Sequence, residues 1–340
     1  MQKIDVFSHI LPTKYLNALS EKAGEKAAEA LNSKRRLNDL DIRFHIIDSH
    51  EGYVQILNIA GPAVEDVASP KVAAELAKIA NDEMAELIYK YPNRFVAAVA
   101  CLPMNNMDAV LKEVDRAITE LGFRGIQITS NIMDKPIDSP EFEPLFERMN
   151  YYQLPILIHP RAMTSGPRTF NSGVVDKVGL LAQKPFNWPF ETTIAMGRLV
   201  WSGLLEKYPN LKIVTHHCGG LTPYQANRIS QHQSVGEIAM YRQRDNSDWH
   251  FTKRPFEYYK MMYGDTAVWG NTSILMCGYD FFGVDHIVFG TDMPFGGELG
   301  ADYVRETIRS VEEMNIPEDD KKKIFQDNPR RLFHLPVELP

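Results

Sequence analysis

Residues Lys3–Pro12 read Lys-Ile-Asp-Val-Phe-Ser-His-Ile-Leu-Pro. The first seven form a short apolar run ending on His9, as expected of a strand buried on both faces of a parallel sheet. An open, doubly wound sheet that binds a dinucleotide usually places a glycine-rich turn directly after its first strand. Here the run passes into His9-Ile10-Leu11-Pro12 with no glycine. The open sheet is therefore the second choice, and a closed parallel barrel is the first.

Seven further runs of the same kind follow: Tyr53–Ile59, Phe95–Pro103, Phe123–Ser130, Pro155–Pro160, Lys212–His217, Met261–Thr266 and His286–Asp292. Between them lie segments with apolar residues at helical spacing. The spacing predicts helices over Pro70–Tyr91, Asp108–Leu121, Glu191–Tyr208, Tyr303–Met314 and Asp319–Phe333, with another opening at Ser139-Pro140 and running to about Tyr152. Pro70 after Ser69 suits a helix start, and Gly122 suits a stop. Eight strands alternating with helices over 340 residues predict an α/β fold, a (β/α)8 TIM barrel forming one domain over residues 1–340. Two stretches break the alternation, Arg161–Pro189 and Arg242–Tyr259. Loops of that length in a compact domain are usually functional or mobile, and these are expected to shape the active-site mouth.

Composition narrows the class. With 44% hydrophobic and 24% charged residues the chain is globular, neither disordered nor fibrous. A net charge of −7 gives no basic footprint for nucleic acid. No apolar run reaches the ~18 residues of a membrane-spanning helix, and the first residues do not read as a signal peptide. Cys101, Cys218 and Cys277 form no CxxC pair, which fits a reducing compartment. The expected location is cytoplasmic, with no nucleic-acid or membrane partner.

The chemistry-bearing residues fall at strand ends. His9, His159, His217 and Asp292 close the first, fifth, sixth and eighth runs. A barrel would bring all four to its C-terminal mouth, where catalytic groups of this fold sit. A single histidine at a strand end is more often a hydrogen-bonded rim residue than a ligand. Four polar residues at one end are harder to assign to that role. Two histidines and a carboxylate suit a divalent metal such as zinc, with positions open for water and substrate. His217 could then act as acid or base near neutral pH. Side chains alternate along a strand, so His216 is expected to point away from the site and is given no role. Phe186, Trp188, Phe190 and Trp249 could cover the mouth or simply pack.

At these residues the sequence resembles the amidohydrolase superfamily, in the branch of the 2-amino-3-carboxymuconate 6-semialdehyde and γ-resorcylate decarboxylases. IDVFSHILP is similar to the family's Asp-Ile-His-x-His-x-x-Pro opening, and LPILIHP to its strand-5 histidine segment. PNLKIVTHHCGGLTPY is similar to the strand-6 pattern, MMYGDTA to Tyr-x-Asp-Thr-Ala, and VDHIVFGTDMPFG to Phe-Gly-x-Asp-x-Pro. The five pieces occur in order over nearly the whole chain.

The resemblance implies that His9, His159 and Asp292 bind one divalent metal, zinc first, with manganese or iron as alternatives. It implies that His217 activates bound water and moves protons, with Asp292 sharing the catalytic work. It implies that Arg43 holds a substrate carboxylate, the alternative being an ordinary surface-helix charge. Asp265 falls in a matching segment without an assigned role. The implied reaction is non-oxidative decarboxylation of an aromatic or unsaturated carboxylic acid by a homodimer. Hydrolysis of an ester, amide or lactone by the same residues is the alternative. One position departs from the pattern. Where the family has His or Glu two residues before the strand-1 histidine, this chain has Phe7, which has no lone pair for a metal. Three outcomes follow: a weaker site with more water, a site completed by a group from elsewhere, or a metal-free barrel kept as a binding or partner subunit.

Overall fold

A computed structural model describes residues 1–24, 35–161, 183–231 and 251–336. The eight expected strands are all present: β1 (Lys3–Ile10), β2 (Tyr53–Ile59), β3 (Phe95–Ala98), β4 (Ile126–Thr129), β5 (Pro155–His159), β6 (Lys212–Thr215), β7 (Tyr263–Asp265) and β8 (Ile287–Val288). They are parallel and lie in chain order, β1 to β3 in one ladder and β4 to β8 in another.

Two seams join the ladders into a ring. At one, Gln127 N–H donates to Ala100 O (3.0 Å) and Ala100 N–H to Gly125 O (2.9 Å). At the other, Val6 N–H donates to Phe289 O (2.9 Å), His9 N–H to Met293 O (2.8 Å) and Asp292 N–H to Phe7 O (3.0 Å). The ring explains the sequence pattern. A strand inside a barrel is covered by helices outside and by other strands' side chains within, so both faces are apolar. Every residue of β2 is buried. Phe7, Ile56, Leu157, Val214 and Val288 fill the interior, while a larger cluster lies between the ring and its helices.

The longer helices among the described residues are α1 (Thr13–Ala23), α2 (Leu40–Asp48), α3 (Pro70–Lys90), α4 (Met107–Thr119), α5 (Glu143–Tyr152), α6 (Trp188–Trp201), α7 (Thr272–Phe282) and α8 (Ala301–Glu312). Of these α1, α2 and α7 are additional to those expected. One expected helix is broken. The segment Glu191–Tyr208 stops at Trp201 and resumes at Leu204–Lys207, because Gly203 sits between them at φ 77°, a left-handed conformation that suits glycine. The expected Asp319–Phe333 helix runs without a break over residues 318–332, with a π-helical turn at Lys323–Asp327 in its middle. No described helix is long and apolar enough to cross a membrane.

Below the mouth, Asp5 ties the β1–β8 seam. Its carboxylate accepts from Phe7 N–H, Thr291 N–H, Thr291 Oγ1 and Tyr53 OH at 2.5–3.0 Å. Burial pushes this carboxyl up to about 6 despite those bonds. A register shift in β1 between Asp5 and Ser8 marks the same place.

Candidate metal and active site

Parallel strands in a ring end on the same side, so residues far apart in sequence meet there. One ligand atom from each of His9, His159, His216 and Asp292 lies within 4.8 Å of every other. His9 Nε2 is 3.1 Å from Asp292 Oδ1, and His216 Nε2 is 3.3 Å from the same oxygen. His9, His216 and Asp292 are buried. His9 Nε2 makes no hydrogen bond despite its closeness to Asp292. A buried polar atom without a partner is rare and needs a cause. Three imidazoles and a carboxylate converging on one point, with His9 Nε2 left unpaired there, are what a cation site requires, so this donor set fits a divalent metal.

The third histidine is His216, which corrects its expected orientation. Alternation holds only while the chain is a strand, and β6 ends at Thr215. His216–Gly219 form a tight turn in which His217 (φ 54°, ψ 46°) and Cys218 (φ 53°, ψ 39°) are left-handed. The chain leaves Thr215 with both imidazoles turned towards the mouth, their rings stacked at 4.0 Å. Two non-glycine residues in that conformation cost about 1–2 kcal/mol each, and such strain clusters at functional sites. Asp292 is left-handed as well (φ 63°). Gly220 completes the turn at a point where a Cβ would meet Pro189 O at 2.1 Å.

Asp265, at the end of β7, orients the pair. Its Oδ2 accepts from His216 Nδ1, and its Oδ1 accepts from Cys218 N–H (2.9 Å) and Ala267 N–H (3.1 Å). With Nδ1–H donating to a carboxylate, Nε2 faces the cluster, where a bound ion would displace its proton and take the lone pair, the arrangement that commonly supports metal-ligating histidines. Burial opposes charge on His216, but Asp265 and Asp292 outweigh it and push the imidazole up to about 10. Burial also disfavours charge on Asp292, yet the imidazoles of His216, His217 and His9 that face it hold its carboxyl well below the usual range. Burial, followed by the neighbouring imidazoles, holds His159 well below its ordinary value. An Asp265→Asn variant is expected to weaken metal binding by about 10–100-fold, read by competition with a metal indicator. Unchanged affinity would remove Asp265 from the site.

His217 lies beside the cluster, with Nε2 3.9 Å from Asp292 Oδ2 and Nδ1 buried without a hydrogen bond. Burial, then His216, lowers its pKa. The Trp188 ring is parallel to it at 6.1 Å and edge-on to His159 at 6.0 Å. Of the expected covering aromatics, Trp188 is therefore at the mouth. Phe186 and Phe190 are exposed, and Trp249 lies outside the described residues. Most of Arg161–Pro189 and part of Arg242–Tyr259 lie outside them too.

Phe7 is fully buried, its ring stacked on His216 at 4.0 Å. Phe7, His216, His217 and Trp188 thus form a continuous stack from the barrel interior to the mouth. The ring supplies no donor, and His216 is the fourth ligand-bearing residue of the cluster.

Arg43 sits elsewhere than expected. It is neither a surface charge nor open to substrate: only 1% of it is exposed. Its Nη1 donates to Ser8 Oγ (2.9 Å) and Gln55 Oε1 (2.7 Å), and its Nη2 to His9 O. Burial lowers its pKa to about 10. The guanidinium holds the backbone that carries His9. Arg43→Met leaves three buried acceptors without a donor and is expected to destabilise the protein by about 2–4 kcal/mol, seen as a lower midpoint in urea. An unchanged midpoint with weaker substrate binding would return Arg43 to a substrate role.

A parallel (β/α)8 ring with three histidines and an aspartate converging at its C-terminal mouth is an amidohydrolase-type barrel. Residues 56–335 match the amidohydrolase family, and the chain belongs to it. It is 30% identical over 312 residues to a γ-resorcylate decarboxylase of Polaromonas sp. strain JS666, covering 89% of this chain and 90% of that one. It is 28% identical over 330 residues to a 2-amino-3-carboxymuconate-6-semialdehyde decarboxylase of Dictyostelium discoideum, covering 92% and 87%. Among solved structures, a dihydroxybenzoic acid decarboxylase from Polaromonas sp. JS666, with bound manganese and the inhibitor 2-nitroresorcinol, superposes with a TM-score of 0.77. That match has 29% identity and covers 98% of this chain and 97% of the other.

Proposed function

We propose that this chain is a metal-dependent, non-oxidative carboxy-lyase that releases CO2 from an aromatic or unsaturated carboxylic acid. The observation that carries the reading is the convergence of His9, His159, His216 and Asp292 beside the unpaired Nδ1 of His217. It is supported by decarboxylase relatives that match about nine-tenths of the chain.

His9, His159, His216 and Asp292 would hold one divalent ion. When bound, the ion would polarise substrate oxygens and draw off negative charge as the reaction proceeds. Imidazole and carboxylate donors suit zinc, manganese and iron. The manganese in the Polaromonas enzyme favours manganese over the zinc first expected. Asp292 serves as a ligand and as an acceptor facing His217. Trp188 fixes the plane of the His217 ring and restricts water on that side. His217 takes up a proton from solvent and delivers it to the carbon bearing the carboxylate, returning to its neutral form. The C–C bond then breaks, its electron pair returns to the conjugated system, and CO2 leaves. No oxidant is required.

The substrate is a small carboxylic acid. A homodimer goes with this reading, as the commonest assembly, and light scattering measures it. The cytoplasmic expectation rests on three free cysteines.

Metal-loaded protein given a panel of hydroxybenzoates and unsaturated dicarboxylates should release CO2 from at least one acid. It should also carry close to one ion per chain when purified without chelator. Hydrolysis of esters or lactones with no CO2 from any acid would replace this reading with the hydrolase one.

A further inference from the structure

Next to the ligand cluster lies a second recess whose polar groups the reaction above leaves unused. It is a cavity of about 50 Å³ between the end of β2, the turn Val64–Val67 and the ends of β3 and β4. His159 forms part of its wall, so the recess adjoins the metal site. A water needs about 10–15 Å³ of such space, so the recess admits a substituent of a few atoms and no second ring. Most of the lining is apolar, including Ile59, Val64, Leu102 and Met104. Two polar side chains stand out, Glu65 and Gln127.

Gln127 Nε2 donates to Ile59 O (2.9 Å), which fixes the amide. Its Oε1 is buried and has no hydrogen-bond partner. Glu65 is 4% exposed, and its carboxyl accepts from its own and the Met104 backbone N–H. Burial pushes that carboxyl up to about 7, so near neutral pH it can donate as well as accept. The Cys101 thiol alongside is held neutral by burial. An unpaired buried acceptor costs about 1–3 kcal/mol, and among the described residues nothing satisfies Gln127 Oε1. A ligand that donates to it would recover that loss.

We infer that this recess is the substituent pocket of the substrate, and that Gln127 and Glu65 select an acid whose ring or chain carries a hydrogen-bond donor, a hydroxyl or an amino group, at the position facing β4. The inference rests on the carboxy-lyase reading and names the substrate class within it. A substrate hydroxyl donates to Gln127 Oε1 and exchanges a second hydrogen bond with Glu65. A methyl group of similar size fits the space but leaves both polar groups unpaired. Sites built to bond a substrate hydroxyl discriminate strongly against analogues lacking it.

The test is equilibrium binding of decarboxylated analogues to the metal-loaded protein. Catechol, resorcinol and hydroquinone are each compared by calorimetry with the methylphenol that replaces one hydroxyl. At least one dihydroxybenzene should bind about tenfold or more tightly than its methyl counterpart. Gln127→Met and Glu65→Gln, both close in volume to the originals, should each shrink that ratio at least threefold with the ion content unchanged. Equal or absent binding of every pair by the wild-type protein overturns the inference. So does a ratio unmoved in both variants. CO2 release separates the two readings. If a ratio that depends on Gln127 persists in a protein that decarboxylates nothing, the pocket stands and the carboxy-lyase reading falls. If CO2 is released but the ratio ignores both residues, the reverse holds.

Discussion

His216→Asn should lose its divalent ion. Wild-type protein purified without chelator is expected to carry close to one ion per chain, and the variant almost none. Affinity should fall by more than about a hundredfold, the upper range for loss of a merely supporting residue. The argument is geometric. His216 Nε2 is one of four converging donor atoms, and its other nitrogen is fixed by Asp265. Phe7 cannot replace it, because it offers only a ring face. The companion variant Phe7→His sharpens the test. If His216 fills the fourth position, adding a histidine at residue 7 should leave the stoichiometry at one. If His216→Asn keeps its ion while Phe7→His tightens binding, residue 7 is the empty ligand position and His216 is not a ligand.

The second large effect is expected for His217→Asn, which should lower CO2 release by about 10²–10⁴-fold, the usual contribution of a positioned proton donor. The ion should remain, since His217 is outside the four converging atoms. Asparagine suits this test because it tolerates left-handed backbone better than most residues, so the turn at φ 54° survives. Ion content by plasma emission and turnover by CO2 capture are measured on the same sample. Full activity in this variant would assign proton transfer elsewhere. Loss of both ion and activity would make His217 a ligand.

The sequence already carried most of the barrel. Strands enclosed on both faces are mostly apolar, so each appears as a short run with few charges, and all eight occur where the runs are. His9, His159 and Asp292 were legible for the same reason, because parallel strands share one end. His216 was not legible by that logic. Alternation places it opposite His217 only if β6 continues, and the strand ends one residue earlier. The glycine pair Gly219-Gly220 just beyond was the available signal that the chain turns there. Arg43 misled in another way. In sequence it lies in a mixed polar and apolar segment, and no periodicity shows that helix α2 lays the residue under β1, where its guanidinium meets the backbone of His9. Gly203 broke a helix that spacing alone would have continued.

The seam between β1 and the segment after β8 has a consequence for how the protein comes into being. Three backbone hydrogen bonds and the 3.1 Å approach of His9 to Asp292 join the first staves of the cylinder to the last. On the ribosome, the donor at residue 9 emerges early and waits for most of the chain before its counterpart arrives. A chain that stops short of residue 292 lacks one of the four converging donors. Once the last stave docks, an ion held by His9 and Asp292 would clamp both sides of the join and act as a rivet against its peeling open.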